Sequence, residues 1–218
     1  MDAVRKHHNA LKRALIQCAT PPGAAVLDVG CGAGGDISKW KNIKSLDMCD
    51  PGTLDEAKRR AQTSPVKIAF YQGDILSCPL RLYDVICYNF SIQYIFASKK
   101  LFFDTIQAIT QRLTKGGVLI GIVPDSDMIL MNTPYKDSLG NYLSRGPTTG
   151  HGDFGEKVFV HLADTLYYKD GPIAEPIAYK DLLITHLMNS GFELTLWEPC
   201  QGPNQITSLY SQFIFTRK

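Results

Sequence analysis

Apolar residues between Val4 and Cys18 recur at Val4, Leu11, Leu15 and Cys18, a helical spacing, while Arg5, Lys6, Lys12 and Arg13 fall mostly on other faces. The pattern predicts an amphipathic helix with a basic face, ended by Pro21-Pro22-Gly23. Short apolar runs then alternate with helical stretches. Val26 to Val29 reads as a first strand, with a helix from Ile37 to Lys41 opened by Asp36. Lys44 to Met48 reads as a second strand, Leu54 to Gln62 as a helix after the turn Asp50-Pro51-Gly52-Thr53, and Val66 to Tyr71 as an alternating third strand. Tyr83 to Phe90 is nearly continuous in apolar residues, as a central parallel strand buried on both faces must be. Leu101 to Leu113 has helical spacing, Lys115-Gly116-Gly117 stops it, and Val118 to Val123 makes a fifth strand ended by Pro124. Five strands alternating with helices predict a doubly wound, mostly parallel α/β sheet in one domain over residues 1–218.

The rhythm breaks from Asp125 to Pro176, where Gly140, Gly146, Pro147, Gly150, Gly152 and Gly155 crowd among polar residues. A substrate-binding insertion at about 125–176 is expected there, because long segments at the ligand end of such sheets carry specificity. Lys157 to Leu162 alternates like a strand inside it, with Leu166-Tyr167-Tyr168 as its pairing partner. Glu175 lies in the approach to a helix from Tyr179 to Ser190, closed by Gly191.

The stretch Val26-Leu27-Asp28-Val29-Gly30-Cys31-Gly32-Ala33-Gly34-Gly35-Asp36 joins a strand to a helix start through glycines. Such a turn lets a nucleotide-like ligand approach the main chain closely. Asp28 separates it from a dinucleotide loop, since a carboxylate there repels a pyrophosphate and suits a sulfonium or ammonium group. S-adenosylmethionine is the cofactor implied. Asp47, at the end of the second strand, is expected to accept both ribose hydroxyls, because a carboxylate offers two acceptor oxygens. Asp74, beside Ile75 at the end of the third, is expected to accept from the adenine amino group while its neighbour covers the ring.

With 23 basic and 21 acidic residues the net charge is only +2, so bulk electrostatics makes no case for long nucleic acid. The six cysteines never form a C-x-x-C pair, which argues against a metal site and a disulfide framework and favours a reducing, cytoplasmic compartment. The charged start has no apolar run of signal-peptide type, and no stretch is long enough for a membrane span.

These motifs resemble the mRNA cap guanine-N7 methyltransferases, and more particularly those of viral type. Asp28-Val29-Gly30-Cys31-Gly32-Ala33-Gly34-Gly35-Asp36, followed by Lys39-Trp40, is similar to the family's D-[LV]-G-C-G-K-G-G-D…K-W, and Arg5 with His8-Asn9-Ala10-Leu11-Lys12 to its N-N-x-I-K. The resemblance implies the S-adenosylmethionine-dependent class I methyltransferase fold, with Phe192 to Trp197 and Leu209 to Phe215 as an antiparallel C-terminal hairpin. It places Lys12 at the cofactor carboxylate, Asn89, Phe90 and Ser91 at the adenosine with Gly30, Gly32, Asp28, Asp47, Asp74 and Ile75, and S-adenosylhomocysteine as product. It places His8, Asn9, Lys39, Arg59, Gln93, Tyr94, Glu175 and Tyr210 around the cap. The partner implied is the 5′ end of capped RNA, GpppN, with RNA triphosphatase and guanylyltransferase domains in a longer chain.

Three positions depart from the family: Ala33 replaces its usual lysine, Gln93 its histidine, and Ala174-Glu175-Pro176 its P-E-[FY]. Loss of the lysine weakens contact with cap phosphate, whereas glutamine still hydrogen-bonds a base edge. Guanine N7 carries a free lone pair at neutral pH, so no acid, base or covalent catalytic residue is expected. The nearest alternatives are a small-molecule methyltransferase and an inactive RNA-binding subunit of the same fold. The adenine amino-methyltransferase motif fails because Asn89-Phe90-Ser91-Ile92 lacks its prolines.

Overall fold

The computed structural model describes residues 3–147, 153–163, 168–202 and 205–218. Helix α1 (Ala3–Ala19) precedes β1 (Ala25–Val29), β2 (Ser45–Asp50), α2 (Asp55–Ala61), β3 (Ile68–Gln72), β4 (Tyr83–Asn89), α3 (Lys99–Arg112) and β5 (Leu113–Pro124). The C-terminal part carries α5 (Lys180–Asn189), β10 (Phe192–Pro199) and β11 (Tyr210–Arg217). The sheet order is β10-β11-β5-β4-β1-β2-β3, parallel throughout except for β11, which runs antiparallel between β5 and β10. This is the predicted doubly wound sheet with its antiparallel hairpin.

Alternation along the strands divides the core. Val26, Met48, Cys87 and Ile120 pack on one face with Leu15 and Ile16 of α1 and with Trp40. Leu27, Cys49, Ile86 and Leu119 pack on the other with Phe102 and Ile109 of α3 and Leu183 and Leu187 of α5. β5 begins earlier than its apolar run suggests. Leu113 pairs with Tyr83 and Val118 with Val85, so residues 114–117 bulge from the ladder around the glycine pair.

Two expectations are corrected. No α-helix follows the glycine loop: residues 32–36 form turns and only one 3-10 turn, Ile37–Lys39, comes after them. A stretch of five residues bounded by Lys41 and the turn at Asn42 is too short to recover the cost of nucleating a helix. The insertion holds the strand expected at Lys157 to Leu162, formed over Lys157–His161, and more besides. It contains α4 (Ser126–Asn132) and a second, antiparallel sheet of β6 (Tyr135–Lys136), β7 (Tyr142–Arg145), β8 (Lys157–His161) and β9 (Ile173–Pro176). Leu143, Val158 and Val160 of this sheet join the α1 face of the core. Glu175 therefore sits on a strand, opposite Val158, and not in a loop before a helix. The expected strand at Leu166-Tyr167 lies outside the described residues, and Tyr168 falls in a turn.

Candidate active site

The carboxyl ends of β1 to β4 open into a cleft of about 660 Å³, closed on one side by α1, β9 and the start of β11. Crevices form at this end of an open α/β sheet because the loops there diverge to opposite faces.

At one end of the cleft the main chain itself is the wall. Gly30 has φ +75°, and a Cβ on it would lie 2.3 Å from Ser91 Cβ, so no larger residue fits. Its N–H and that of Cys31 both reach the Cys49 carbonyl, at 2.8 and 3.1 Å, which locks the loop onto β2. Ser91 donates to the Val29 carbonyl at 2.6 Å and ties the β4 exit to β1. Asp50, the last residue of β2, accepts from Gly32 N–H and from Gly52 N–H, both at 2.7 Å. Each of its oxygens keeps a further lone pair, enough for a vicinal diol. Gln72 steadies this corner by donating to the carbonyls of Asp50, Pro51 and Gly52. Asp74 caps the 3-10 turn Ile75–Ser77, and Gly73, Asp74 and the fully buried Ile75 line the cleft beside it.

The middle of the cleft is aromatic. Phe90 holds a left-handed backbone, φ 60°, unusual for a bulky residue and costly by roughly 1–3 kcal/mol. Its N–H is fixed to the Ile122 carbonyl at 2.7 Å, and its ring meets those of His8 and Tyr210 at 5.2 and 5.3 Å. Lys12 lies 6.0 Å over the Phe90 ring and pairs with Asp36 at 2.6 Å. Asn89 donates to Asp36 at 3.1 Å, and its buried Oδ1 has no partner among the described residues.

The far end is built around Glu175. Its carboxylate is buried, with Gln93 Nε2 2.9 Å from one oxygen and the Tyr168 hydroxyl 2.9 Å from the other. Tyr94 also lines the cleft. Burial raises the Glu175 pKa, against the hydrogen bonds that lower it.

Of the residues predicted for the site, His8, Lys12, Gly30, Gly32, Asp74 and Ile75 line the cleft, as do Asn89, Phe90, Ser91, Gln93, Tyr94, Glu175 and Tyr210. Five do not. Asp47 sits in mid-strand, bonded by the Tyr83 hydroxyl at 2.7 Å and by Arg81 at 2.6 Å, so the strand-tip carboxylate is Asp50. Asp28 is buried behind the glycine loop with Trp40 Nε1 3.4 Å away; burial and the neighbouring Asp36 push its pKa up to about 7. Lys39 is folded inward, 2.8 Å from Asp36 and 2.6 Å from the Gly35 carbonyl, because the buried Asp36 needs cations. Burial works against ionisation of Asp36, and Lys12 and Lys39 overcome it and hold its pKa down. Arg59 points outward from α2 and grips Glu56. Asn9 donates to the Arg5 carbonyl; His8 and Lys12, four residues apart, share the helix face that meets the cleft, and Asn9 lies a third of a turn away.

Asp50 and Tyr168 are the functional candidates missing from the sequence reading. Asp50 had a signal: Pro51-Gly52 breaks the extended chain, so the residue before them is the acid at the strand tip, where β2 ends its pairing with β3. Tyr168 had none, since nothing in its local pattern points to Glu175.

The profile of the mRNA (guanine-N(7))-methyltransferase domain matches residues 2–145. The mRNA cap guanine-N(7) methyltransferase of Cryptococcus neoformans is 32% identical over 146 residues, covering 58% of this chain and 24% of that protein. The Schizosaccharomyces pombe protein of the same name is 28% identical over 191 residues, 75% of this chain and 53% of its own length. The chain thus spans about half or less of these relatives, at 53% and 24%. Among solved structures, an S-adenosylmethionine-dependent methyltransferase of Listeria monocytogenes described as putative superposes with TM-score 0.68 at 20% identity, covering 98% of this chain and 99% of its own. A Pyrococcus horikoshii protein superposes with TM-score 0.70 at 15% identity, covering 100% and 92%. At such identities these two speak for the fold alone.

Proposed function

Since the chain belongs to the mRNA cap guanine-N7 methyltransferase family, we propose that its cleft holds S-adenosylmethionine beside the terminal guanine of GpppRNA and directs methyl transfer to N7. The observation that carries this reading is Glu175: a buried carboxylate, bonded by the neutral donors Gln93 and Tyr168, lining the same cleft as Gly30, Asp50 and Asp74.

The nucleoside end fits the cofactor on its own geometry. Asp50 has two oxygens for a ribose diol, the orphaned Asn89 Oδ1 lacks a donor, and the Gly30 turn leaves no Cβ in the way. Lys12 supplies a cation for the amino-acid carboxylate. Bound there, the cofactor supplies an electrophilic methyl group on a sulfonium.

The chain's own residues do the rest by orientation. Glu175 accepts from guanine N1–H and the N2 amino group, an edge that adenine, with an acceptor at N1, does not offer. Phe90, Tyr210 and His8 wall the ring. N7 is unprotonated at neutral pH, so no side chain has to remove a proton. Holding the reactants in fixed orientation can contribute several kcal/mol or more, on the order of 7–11 at its upper limit. The uncompensated charge on Glu175 also favours the base as it becomes cationic.

Labelled methyl transfer to GpppRNA and to uncapped RNA tests this. The wild type is expected to modify only the capped RNA; Glu175→Ala should bind S-adenosylhomocysteine normally in calorimetry and lose turnover. Asp50→Asn should weaken that binding by roughly tenfold or more, as loss of charge-assisted bonds does. Normal cap methylation by Glu175→Ala would remove Glu175 from the mechanism.

The reading extends to the protein's setting. Ala33, Gln93 and Ala174-Glu175-Pro176 support a divergent, viral member, although the relatives compared are fungal and plant proteins. It would work beside RNA triphosphatase and guanylyltransferase domains, the activities that make its substrate. All six cysteines are free, which favours a reducing, cytoplasmic site of action. Among the described residues no helix is long and apolar enough to cross a membrane.

A further inference from the structure

We propose that Tyr168 is a positioning residue for cap recognition, which with Gln93 grips the two oxygens of Glu175 from separate parts of the fold and fixes the lone pairs left for the purine. The inference rests on Glu175 as the guanine acceptor.

Tyr168 arrives from the connection between β8 and β9, is 7% exposed, and places its hydroxyl 2.9 Å from Glu175 Oε1. Gln93 arrives from the turn after β4 and places Nε2 2.9 Å from Oε2, with the same amide 3.1 Å from the Phe90 carbonyl. A carboxylate on a strand has a side chain free to rotate about three bonds. With one buried donor on each oxygen, both the position and the plane of the group are set.

The chemistry of the donors matters as much as their number. An arginine here would occupy both oxygens with one fork and neutralise the charge. A hydroxyl and an amide take one lone pair each and leave the negative charge to whatever enters the cleft. Among the described residues no Lys or Arg pairs with Glu175 within 4.0 Å. The glutamine is tied in turn to the left-handed Phe90, so the acceptor is registered to the same turn that walls the ring. Tyr94, 36% exposed, lines the same cleft and is more accessible than either Gln93 or Tyr168.

The test is steady-state kinetics on the full chain with GpppRNA for Tyr168→Phe, Glu175→Gln and the double variant, alongside calorimetric binding of S-adenosylhomocysteine. Tyr168→Phe should raise KM for capped RNA by roughly tenfold or more, as loss of a hydrogen bond to a charged group does. Its affinity for S-adenosylhomocysteine should stay within about twofold of wild type, which also reports that the variant is folded. In the Glu175→Gln background the same change should add less than about twofold, because a residue acting through Glu175 has nothing left to position. Tyr168→His, which keeps a donor, should recover part of the loss. If Glu175→Gln raises KM while Tyr168→Phe leaves it unchanged, or if the two losses simply multiply, the positioning role is overturned. If Glu175→Gln itself leaves KM unchanged, the guanine reading fails first.

Discussion

Asp28 has its carboxyl in dry surroundings beneath the glycine loop, with a second carboxyl, Asp36, nearby and a single indole N–H 3.4 Å away. Lys12 and Lys39 serve Asp36 first, and that inequality sets a pH dependence. The folded pKa of Asp28 is about 7 against an ordinary 3.8, so from about pH 4 to 7 the folded protein keeps a proton that the unfolded chain has released. This group therefore makes stability fall as pH rises through that window and leaves it level above. Glu175, also raised by burial, acts in the same direction. Asp28→Asn, neutral at every pH and nearly isosteric, should be more stable than wild type at pH 8 and show a flatter melting temperature between pH 6 and 8. Melting curves at the two pH values decide it, and an unchanged slope would mean that Asp28 stays ionised.

The β1 loop is where backbone conformation and binding are one requirement. Gly30→Ala would put a Cβ 2.3 Å from that of Ser91 at φ +75°, with the loop already pinned to Cys49 and unable to yield. The strain is about 1–3 kcal/mol for the dihedral alone, before any clash. Urea unfolding should show at least that loss, and S-adenosylhomocysteine binding should fall with it; a stable variant with normal binding would mean that the loop is not held as described. The long elements around this loop were legible because their pattern spans many residues: α1 and the continuous apolar run of β4 announce themselves. In the insertion only β8, whose five residues alternate, was legible; β6, β7 and β9, of two to four residues between glycine turns, are shorter than any period they could display. Asp47 shows the same limit within the site. Its spacing from Gly30 is reasonable, but the tip of β2 is fixed by pairing with β3, which continues to Asp50. Lys39 and Arg59 had the right charge, but in the folded chain Asp36 and Glu56 engage them.

Across the whole molecule the two sheets divide the labour. The seven-stranded sheet supplies the nucleoside end of the cleft, and the four-stranded sheet supplies Glu175, so the two proposed ligands meet elements of different origin. A net charge of +2, with Arg59 and Arg60 engaged by Glu56, leaves little long-range attraction for an RNA body. Recognition then concentrates at the cap, and hydrogen exchange should resolve it. S-adenosylhomocysteine alone is expected to protect the amides of residues 30–34, 50–53 and 73–77, because those loops frame its end of the cleft. Adding GpppA should extend protection to residues 173–176 on β9 and to the turn at 91–94, with little further change at residues 50–53. Protection by the cap analogue confined to the outer face of α2 would place guanine away from Glu175 and separate the two halves of the site.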